Sequence, residues 1–212
     1  MMYDLIVIGG GVNGVGIARD AAGRGLSVCL LEKGDLAGAT SSASTKLIHG
    51  GLRYLEHYDF KLVADSLNER ERLLRSAPHL IRPMEFILPH EPHLRPAWMI
   101  RAGLFLYDHL GKRTMLEGSK KIDLSEDITG APLKKDYDTG FSYADCRTDD
   151  ARLVISCAMD ARDRGADIRP RTECTSLLVK ADDFLWEVEA EDQITGKTET
   201  LFSKAVVNAA GP

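Results

Sequence analysis

The chain has 212 residues, 44% of them hydrophobic and 28% charged, with a net charge of −5. That composition predicts an ordinary globular chain with a sizeable core, and its acidic balance argues against a general nucleic-acid binder. No apolar run reaches the roughly 18 residues of a spanning helix, and no signal peptide is expected ahead of the first strand. Cys29, Cys146, Cys157 and Cys174 are scattered without a C-x-x-C pair, so reduced core thiols are expected.

Leu5 to Ile8 is a continuous apolar run and predicts a strand buried on both faces. It enters Gly9-x-Gly11-x-x-Gly14. Gly9 allows the tight turn, Gly11 lets backbone approach a pyrophosphate, and Gly14 lets a helix pack on the strand. The helix that follows points free N–H groups and its positive dipole end at the phosphates. Gly25 ends it. Leu26 to Leu31 make a second strand with Glu32 at its tip, where a carboxylate can hydrogen-bond a ribose hydroxyl. A lone GxGxxG is weak, but strand, helix, closing glycine and acid all stand at the required distances. The motif predicts an adenine dinucleotide site and does not by itself choose between FAD and NAD.

Lys33 to Thr40 reads as a short loop, with Thr40 capping a helix that begins in Ser41 to Lys46. Gly50 and Gly51 then break the helix and permit close backbone approach to a flat ligand. Phe60 to Ser76 predicts a helix with Val63, Leu67, Leu73 and Leu74 on one face and Glu69, Arg70, Glu71 and Arg72 on the other. Met84 to Leu88 is a predicted strand, and Pro89, Pro92 and Pro96 make the next stretch a rigid loop. His90-x-x-His93 has helical ligand spacing, but the loop is not helical. No third ligand stands beside it or His109, so no metal is expected. Ala97 to Leu110 reads as a helix that is apolar nearly all round, which fits a core helix more often than an interfacial one.

Glu117 to Asp138 is polar and predicts a long exposed connection. Thr148-Asp-Asp150 is an N-cap for a helix from Ala151 to Arg164, stopped by Gly165. Asp167 and Ile168 begin a strand. Glu173 to Lys180, Phe184 to Ala190 and Lys197 to Phe202 alternate apolar and polar and predict an antiparallel meander with a turn at Thr195-Gly196. Ala205 to Asn208 reads as a buried strand rejoining the opening sheet. The expected fold class is therefore α/β: a Rossmann-like dinucleotide domain with a central parallel sheet and an antiparallel meander. It is expected in two parts, 1–59 and 144–212, around an inserted segment at 60–143. That split argues against a simple NAD dehydrogenase half. The chain closes on a core strand entering a glycine turn, which points to a fragment of a longer protein.

Several stretches resemble the FAD-dependent, respiratory type of glycerol-3-phosphate dehydrogenase. They are Ile8-Gly-Gly-Gly-Val-Asn-Gly14, Asp20-Ala-Ala-Gly-Arg-Gly-Leu26, Ala39-Thr-Ser-Ser-Ala-Ser44, His49-Gly-Gly-Leu-Arg-Tyr-Leu55, Pro92-His-Leu-Arg-Pro-Ala-Trp98, Tyr107-Asp-His-Leu-Gly-Lys-Arg113, Tyr143-Ala-Asp-Cys146 with Asp149-Asp-Ala-Arg-Leu153, and Val207-Asn-Ala-Ala-Gly-Pro212. They cover the chain end to end. Members are roughly twice this length, in keeping with an N-terminal fragment. Ala210 departs from the pattern: a number of relatives carry Thr there, so one hydroxyl near the diphosphate is missing.

The resemblance implies an FAD-binding domain interrupted by part of a substrate domain. It implies oxidation of sn-glycerol 3-phosphate to dihydroxyacetone phosphate, with hydride leaving C2 for flavin N5 and electrons passing to a quinone. Gly9, Gly11, Gly14, Glu32 and Lys33 would serve the ADP half, and Thr40, Ser41 and Ser42 the pyrophosphate and ribityl chain. His49, Gly50, Gly51 and Leu52 would lie against the isoalloxazine. Cys174 would offer a backbone contact to adenine, and Ala210 and Gly211 would close over the cofactor. Arg53 is the substrate candidate, because a guanidinium matches a phosphate bidentately, and Tyr54 supports it. His49 is the candidate proton carrier. The expected location is cytoplasmic, peripheral to the inner-membrane surface, with a homodimer among the possible assemblies. The alternatives are a flavin oxidase using oxygen and an inactive FAD-binding fragment.

Overall fold

The computed structural model describes residues 1–91, 93, 95–112, 114–134, 136–180 and 185–212. Pro92 of the expected rigid loop, Leu94 and Arg113 of the family motifs and Phe184 of the expected second meander strand lie outside the described residues. The elements are β1 (Met2–Ile8), α1 (Val12–Gly23), β2 (Val28–Glu32), β3 (Leu47–Ile48), α2 (Phe60–Ser76), β4 (Ile81–Pro89), α3 (Ala97–Leu110), β5 (Lys120–Asp123), β6 (Thr139–Thr148), α4 (Asp150–Asp163), β7 (Asp167–Pro170), β8 (Thr172–Lys180), β9 (Leu185–Asp192) and β10 (Thr198–Asn208). They divide into two compact units, Met1–Thr45 with Asp149–Pro212, and Lys46–Thr148.

The first unit holds a six-stranded sheet in the order β7-β2-β1-β10-β9-β8. β7, β2, β1 and β10 are parallel, and β9 and β8 continue antiparallel. Because side chains alternate along a strand, β1 and β2 feed two cores. Val7, Val28 and Leu30 meet Val15, Ala18 and Ala21 of α1 and Val154, Ala158 and Ala161 of α4. Ile6, Cys29 and Leu31 meet Tyr3, Val188, Ala190 and Leu201 on the other side. The small residues on α1 and α4 let both helices lie close to the sheet. Cys29 is fully buried, and burial pushes its thiol up to about 12, so it packs as a small hydrophobe. Asp149 caps α4 by accepting the Arg152 N–H at 3.0 Å, a contact worth about 1 kcal/mol.

Two expectations in this unit are corrected. Thr40 does not cap a helix over 41–46; Thr40–Ser42 is a single 3-10 turn that follows Ala39 and has no side-chain cap. The strands expected at 197–202 and 205–208 are one strand, β10, which faces β9 as far as Ser203 and runs along β1 from Phe202 onward. β9 begins at Leu185, one residue before the partner of Ser203. Among the described residues the last part of β10 therefore has β1 alone beside it, and Ala205 and Asn208 are exposed rather than buried.

The second unit is built on β6, which pairs antiparallel with β4 along one side and with β3 and β5 along the other. The pairing of Leu47 and Ile48 with Arg147 and Cys146 draws residues 46–59 and 144–148 into this unit. β4 passes through Pro83, ahead of the expected start at Met84. An edge strand tolerates a residue without an N–H, and β6 is the only strand that β4 pairs with among the described residues. Residues 117–138 are not wholly irregular: β5 forms a ladder with β6, and Leu116 and Leu124 are buried.

Both predicted helices have the expected bounds, but their faces differ. Arg70 and Glu71 of α2, expected in solvent, are each 3% exposed, because they share the face of Val63, Leu67 and Leu74. α3 buries Leu104 and Tyr107, while Trp98 is 70% and Phe105 53% exposed, so it is not apolar core on every side. No helix among the described residues is long and apolar enough to cross a membrane.

Candidate functional site

The glycine loop of the first unit is closed by residues two hundred positions away. Gly9 has φ +110, and a Cβ there would collide with the carbonyl oxygen of Ala209. Ala209 N–H donates to Ile8 O at 2.8 Å, and Gly9 N–H donates to Leu31 O at 2.8 Å. A Cβ at Gly14 would collide with Gly9 O, so α1 comes down directly on the turn. Gly11 is the N-cap of α1 and has no side chain to satisfy the first-turn amides. Ser41 Oγ accepts one of them, Val12 N–H, at 2.9 Å.

Glu32 binds backbone at both carboxylate oxygens. Oε2 accepts Gly10 N–H at 2.6 Å and Oε1 accepts Gly34 N–H at 2.7 Å. It braces the loop entering α1 and the loop leaving β2, and each oxygen retains lone-pair capacity for a ribose hydroxyl. Lys33 and Thr40 are exposed, Ser41 and Ser42 half-buried, and Ser42 Oγ donates to Ala39 O at 3.2 Å. Cys174 sits on β8 opposite Ala190, beside a bulge, with its side chain packed on the core of the meander. Ala210 and Gly211 are exposed; Ala210 N–H donates to Asn208 Oδ1 at 3.1 Å, and Gly211 has φ +85.

His49, Gly51, Leu52, Arg53 and Tyr54 belong to the second unit, where they line a cleft of about 630 Å³ with Tyr143 and Asp145. Arg53 is exposed and has no hydrogen-bond or ion-pair partner among the described residues. His49 Nδ1 accepts Gly51 N–H at 3.0 Å, so the neutral ring carries its proton on Nε2. The glycines owe their identity to protein contacts. A Cβ at Gly50 would collide with Leu67 and lie 2.7 Å from the Tyr107 hydroxyl, and one at Gly51, where φ is +70, would lie 2.5 Å from the Tyr54 ring. A side chain at either position is thus excluded by Leu67 of α2, Tyr107 of α3 and Tyr54.

Beneath the cleft lies a buried polar group. Tyr107 OH accepts Gly50 N–H at 2.7 Å and donates to Asp145, whose oxygens are 2.8 and 3.0 Å away. Arg70 Nη1 donates to Asp145 Oδ1 at 2.5 Å and to Ala144 O at 3.1 Å. Glu71 accepts from the Thr114 hydroxyl at 2.8 Å. Burial, followed by the Asp145 charge, pushes the Tyr107 phenol far above its ordinary range, so it remains a donor. Tyr143, stacked on Phe86 at 5.3 Å, is raised by the same two causes. His90 Nε2 is hydrogen-bonded to Arg95 O and His109 Nδ1 to Phe105 O.

Residues 4–212 match the family described as FAD dependent oxidoreductase. The chain belongs to that family. It is 59% identical over 211 residues to a glycerol-3-phosphate dehydrogenase of Pseudomonas tolaasii, covering 100% of this chain and 40% of the relative. It is 55% identical to a D-erythritol 1-phosphate dehydrogenase of Brucella abortus strain 2308, covering 99% of this chain and 41% of the relative. The X-ray structure of the glycerol-3-phosphate dehydrogenase from Bacillus halodurans complexed with FAD matches with a TM-score of 0.73 at 31% identity, over 100% of this chain and 34% of that one. The chain thus spans about two fifths of the length of the curated relatives it matches.

The cofactor of this oxidoreductase family is FAD, and the first unit fits its ADP half. The start of α1, where Gly11 brings no side chain of its own, and the Ser41 hydroxyl beside it form a cradle suited to a diphosphate. Sequence reasoning missed Ala209, Tyr107, Asp145 and Arg70. A signal existed for Arg70: it stands three residues after Leu67 and four before Leu74, on the apolar face, and its charge masked the period.

Proposed function

We propose that the full-length protein oxidises sn-glycerol 3-phosphate to dihydroxyacetone phosphate with FAD and delivers the electrons to a quinone. The observation that carries this reading is Arg53. An exposed guanidinium without a partner among the described residues shares a cleft with His49, in a chain 59% identical to a glycerol-3-phosphate dehydrogenase. Bound FAD supplies the hydride acceptor and the route of the electrons onward. The chain's own residues bind and orient. Gly9, Gly11, Gly14, Glu32, Lys33, Thr40, Ser41, Ser42, Cys174, Ala210 and Gly211 hold the dinucleotide, and His49 to Leu52 lie against the isoalloxazine. Arg53 grips the substrate phosphate, with Tyr54 beside it.

The tautomer of His49 refines its role. With Nδ1 engaged by Gly51 N–H, the ring offers Nε2–H as a donor to substrate oxygen rather than a free lone pair, so His49 orients the substrate hydroxyl and does not take its proton. The segment 60–143 is the start of the substrate domain. The exposed apolar residues of α3, Trp98, Met99, Phe105 and Leu106, suit a peripheral position at the inner-membrane surface, from which a quinone is reached.

A second substrate, D-erythritol 1-phosphate, is favoured by the 55% identity to the Brucella relative. Both substrates present a phosphate to Arg53 and differ by one carbon. Steady-state assays of the full-length protein under air, with each substrate and with or without a soluble quinone analogue, test the reading. Dihydroxyacetone phosphate formation that depends on the quinone supports it. Stoichiometric peroxide without quinone makes the protein an oxidase instead.

A further inference from the structure

Three buried side chains of the second unit form a hydrogen-bonded series that ends on one backbone amide. Tyr107 and Arg70 are each 3% exposed, and so is Asp145. A guanidinium can only donate and a carboxylate can only accept. The Tyr107 proton therefore goes to Asp145, and a hydroxyl lone pair is left for Gly50 N–H at 2.7 Å. The sequence Arg70, Asp145, Tyr107, Gly50 thus has a fixed polarity and joins α2, β6 and α3 to the loop that carries His49. The next amide, Gly51 N–H, is held by His49 itself. Asp145 also lines the cleft together with His49 and Arg53.

Stability alone is a weak reason for this arrangement. A buried ion pair is often matched or exceeded by apolar side chains of the same volume, and Leu67, Val63 and Tyr143 already pack around Tyr107. What apolar packing lacks is direction. A hydrogen bond from a single amide to a hydroxyl, itself anchored by a carboxylate, specifies where Gly50 lies along the cleft floor.

We propose that Tyr107 and Asp145 are positioning residues that set the Gly50–Gly51 loop, and through it the His49 ring, against the flavin. The inference rests on the reading that His49 to Leu52 lie against the isoalloxazine.

The test uses the full-length protein loaded with FAD. Tyr107→Phe removes the anchoring oxygen. Asp145→Asn keeps an acceptor but removes the charge. Thr114→Val removes the hydroxyl that donates to Glu71, next to Arg70, and leaves the backbone donor in place, without touching Gly50. Gly51→Ala, a reference, displaces the loop directly. The readings are the flavin midpoint potential and absorption maximum, the rate of flavin reduction at saturating substrate, and KM. Tyr107→Phe is expected to shift the potential in the same direction as Gly51→Ala and to slow reduction about tenfold, as a small misplacement does, with KM little changed. Thr114→Val lowers Tm and leaves the flavin readings alone. Should Tyr107→Phe fail to fold, Asp145→Asn carries the same test with a smaller shift. If Gly51→Ala moves the flavin readings and neither Tyr107→Phe nor Asp145→Asn does, the positioning role is overturned. The same holds if Thr114→Val moves them equally. If no variant, Gly51→Ala included, moves them, the placement of the loop against the flavin is itself wrong and the inference falls with it.

Discussion

The carbonyl oxygen of Ala209 fills the space that a side chain at Gly9 would need. The first turn of the dinucleotide loop is therefore shaped by the end of β10, two hundred residues later, as well as by any ligand. Gly9→Ala adds the strain of a positive φ, roughly 1–2 kcal/mol, to a collision with backbone that cannot swing away. The expected outcome is a Tm several degrees lower and loss of FAD on gel filtration. Gly16→Ala, on the exposed side of α1 with open space around it, is expected to stabilise by about 0.5–1 kcal/mol and to leave FAD bound. Calorimetry and flavin content on the two variants check the pair. Equal behaviour would contradict the packing account of Gly9.

Glu32→Gln separates two tasks of one side chain. The carboxylate accepts from Gly10 N–H and Gly34 N–H, and an amide can accept at only one of its two ends. Its NH2 would face a backbone donor. A charge-assisted hydrogen bond is worth about 1.5–3 kcal/mol, so FAD affinity is expected to weaken roughly 10- to 100-fold, measured by fluorescence titration. Unchanged affinity would mean that neither the brace nor a ribose contact matters.

His49 offers a comparison of isosteres. In His49→Asn the shorter amide reproduces the acceptor at Nδ1, and in His49→Gln the longer amide reproduces the donor at Nε2. If His49 donates to substrate, His49→Gln retains more substrate-driven flavin reduction than His49→Asn, by stopped-flow. A general base predicts that both variants lose it alike.

Acid and alkaline limbs of stability come from different places. The Asp160 carboxyl is held below the usual carboxylate range, first by the Arg19 hydrogen bond and then by that of Arg164. A depressed folded pKa means a contribution complete above about pH 4 and lost as pH falls, so Asp160→Asn is expected to flatten the acid limb of a Tm profile. Cys29 is the reverse case. Its folded value is raised by burial to about 12, so its contribution is complete below the ordinary thiol range and lost as pH rises from about 9 toward 12. Cys29→Ala is expected to lower Tm at neutral pH and to give a shallower alkaline decline. A decline as steep as in the parent would place the alkaline lability elsewhere.

Where local physics decides, the fold was legible in the sequence. The glycine loop, the bounds of α2 and α3 and the Asp149 cap follow from period, stops and caps within a few residues. β6 was not. Ser142, Asp145 and Arg147 interrupt its apolar pattern, and it is a strand because β4, β3 and β5 pair with it from as far as a hundred residues away. Arg70 was misplaced for a related reason. Its charge argues for solvent until a carboxylate from β6 is known to stand opposite. Within the site, residue types suited to dinucleotide and phosphate could be read in order along the chain, whereas the groups that hold them, Ala209, Tyr107 and Asp145, declare themselves only through tertiary contact.

The proposed function requires this cleft to bind glycerol 3-phosphate where FAD can oxidise it. The most direct measurement is anaerobic addition of glycerol 3-phosphate to the full-length, FAD-loaded protein and to Arg53→Ala, followed by the oxidised flavin band. The expected result is prompt bleaching in the parent, and bleaching in Arg53→Ala only at roughly 10- to 100-fold higher substrate, the loss of one charge-assisted contact. A parent whose flavin band is unchanged by glycerol 3-phosphate would contradict it.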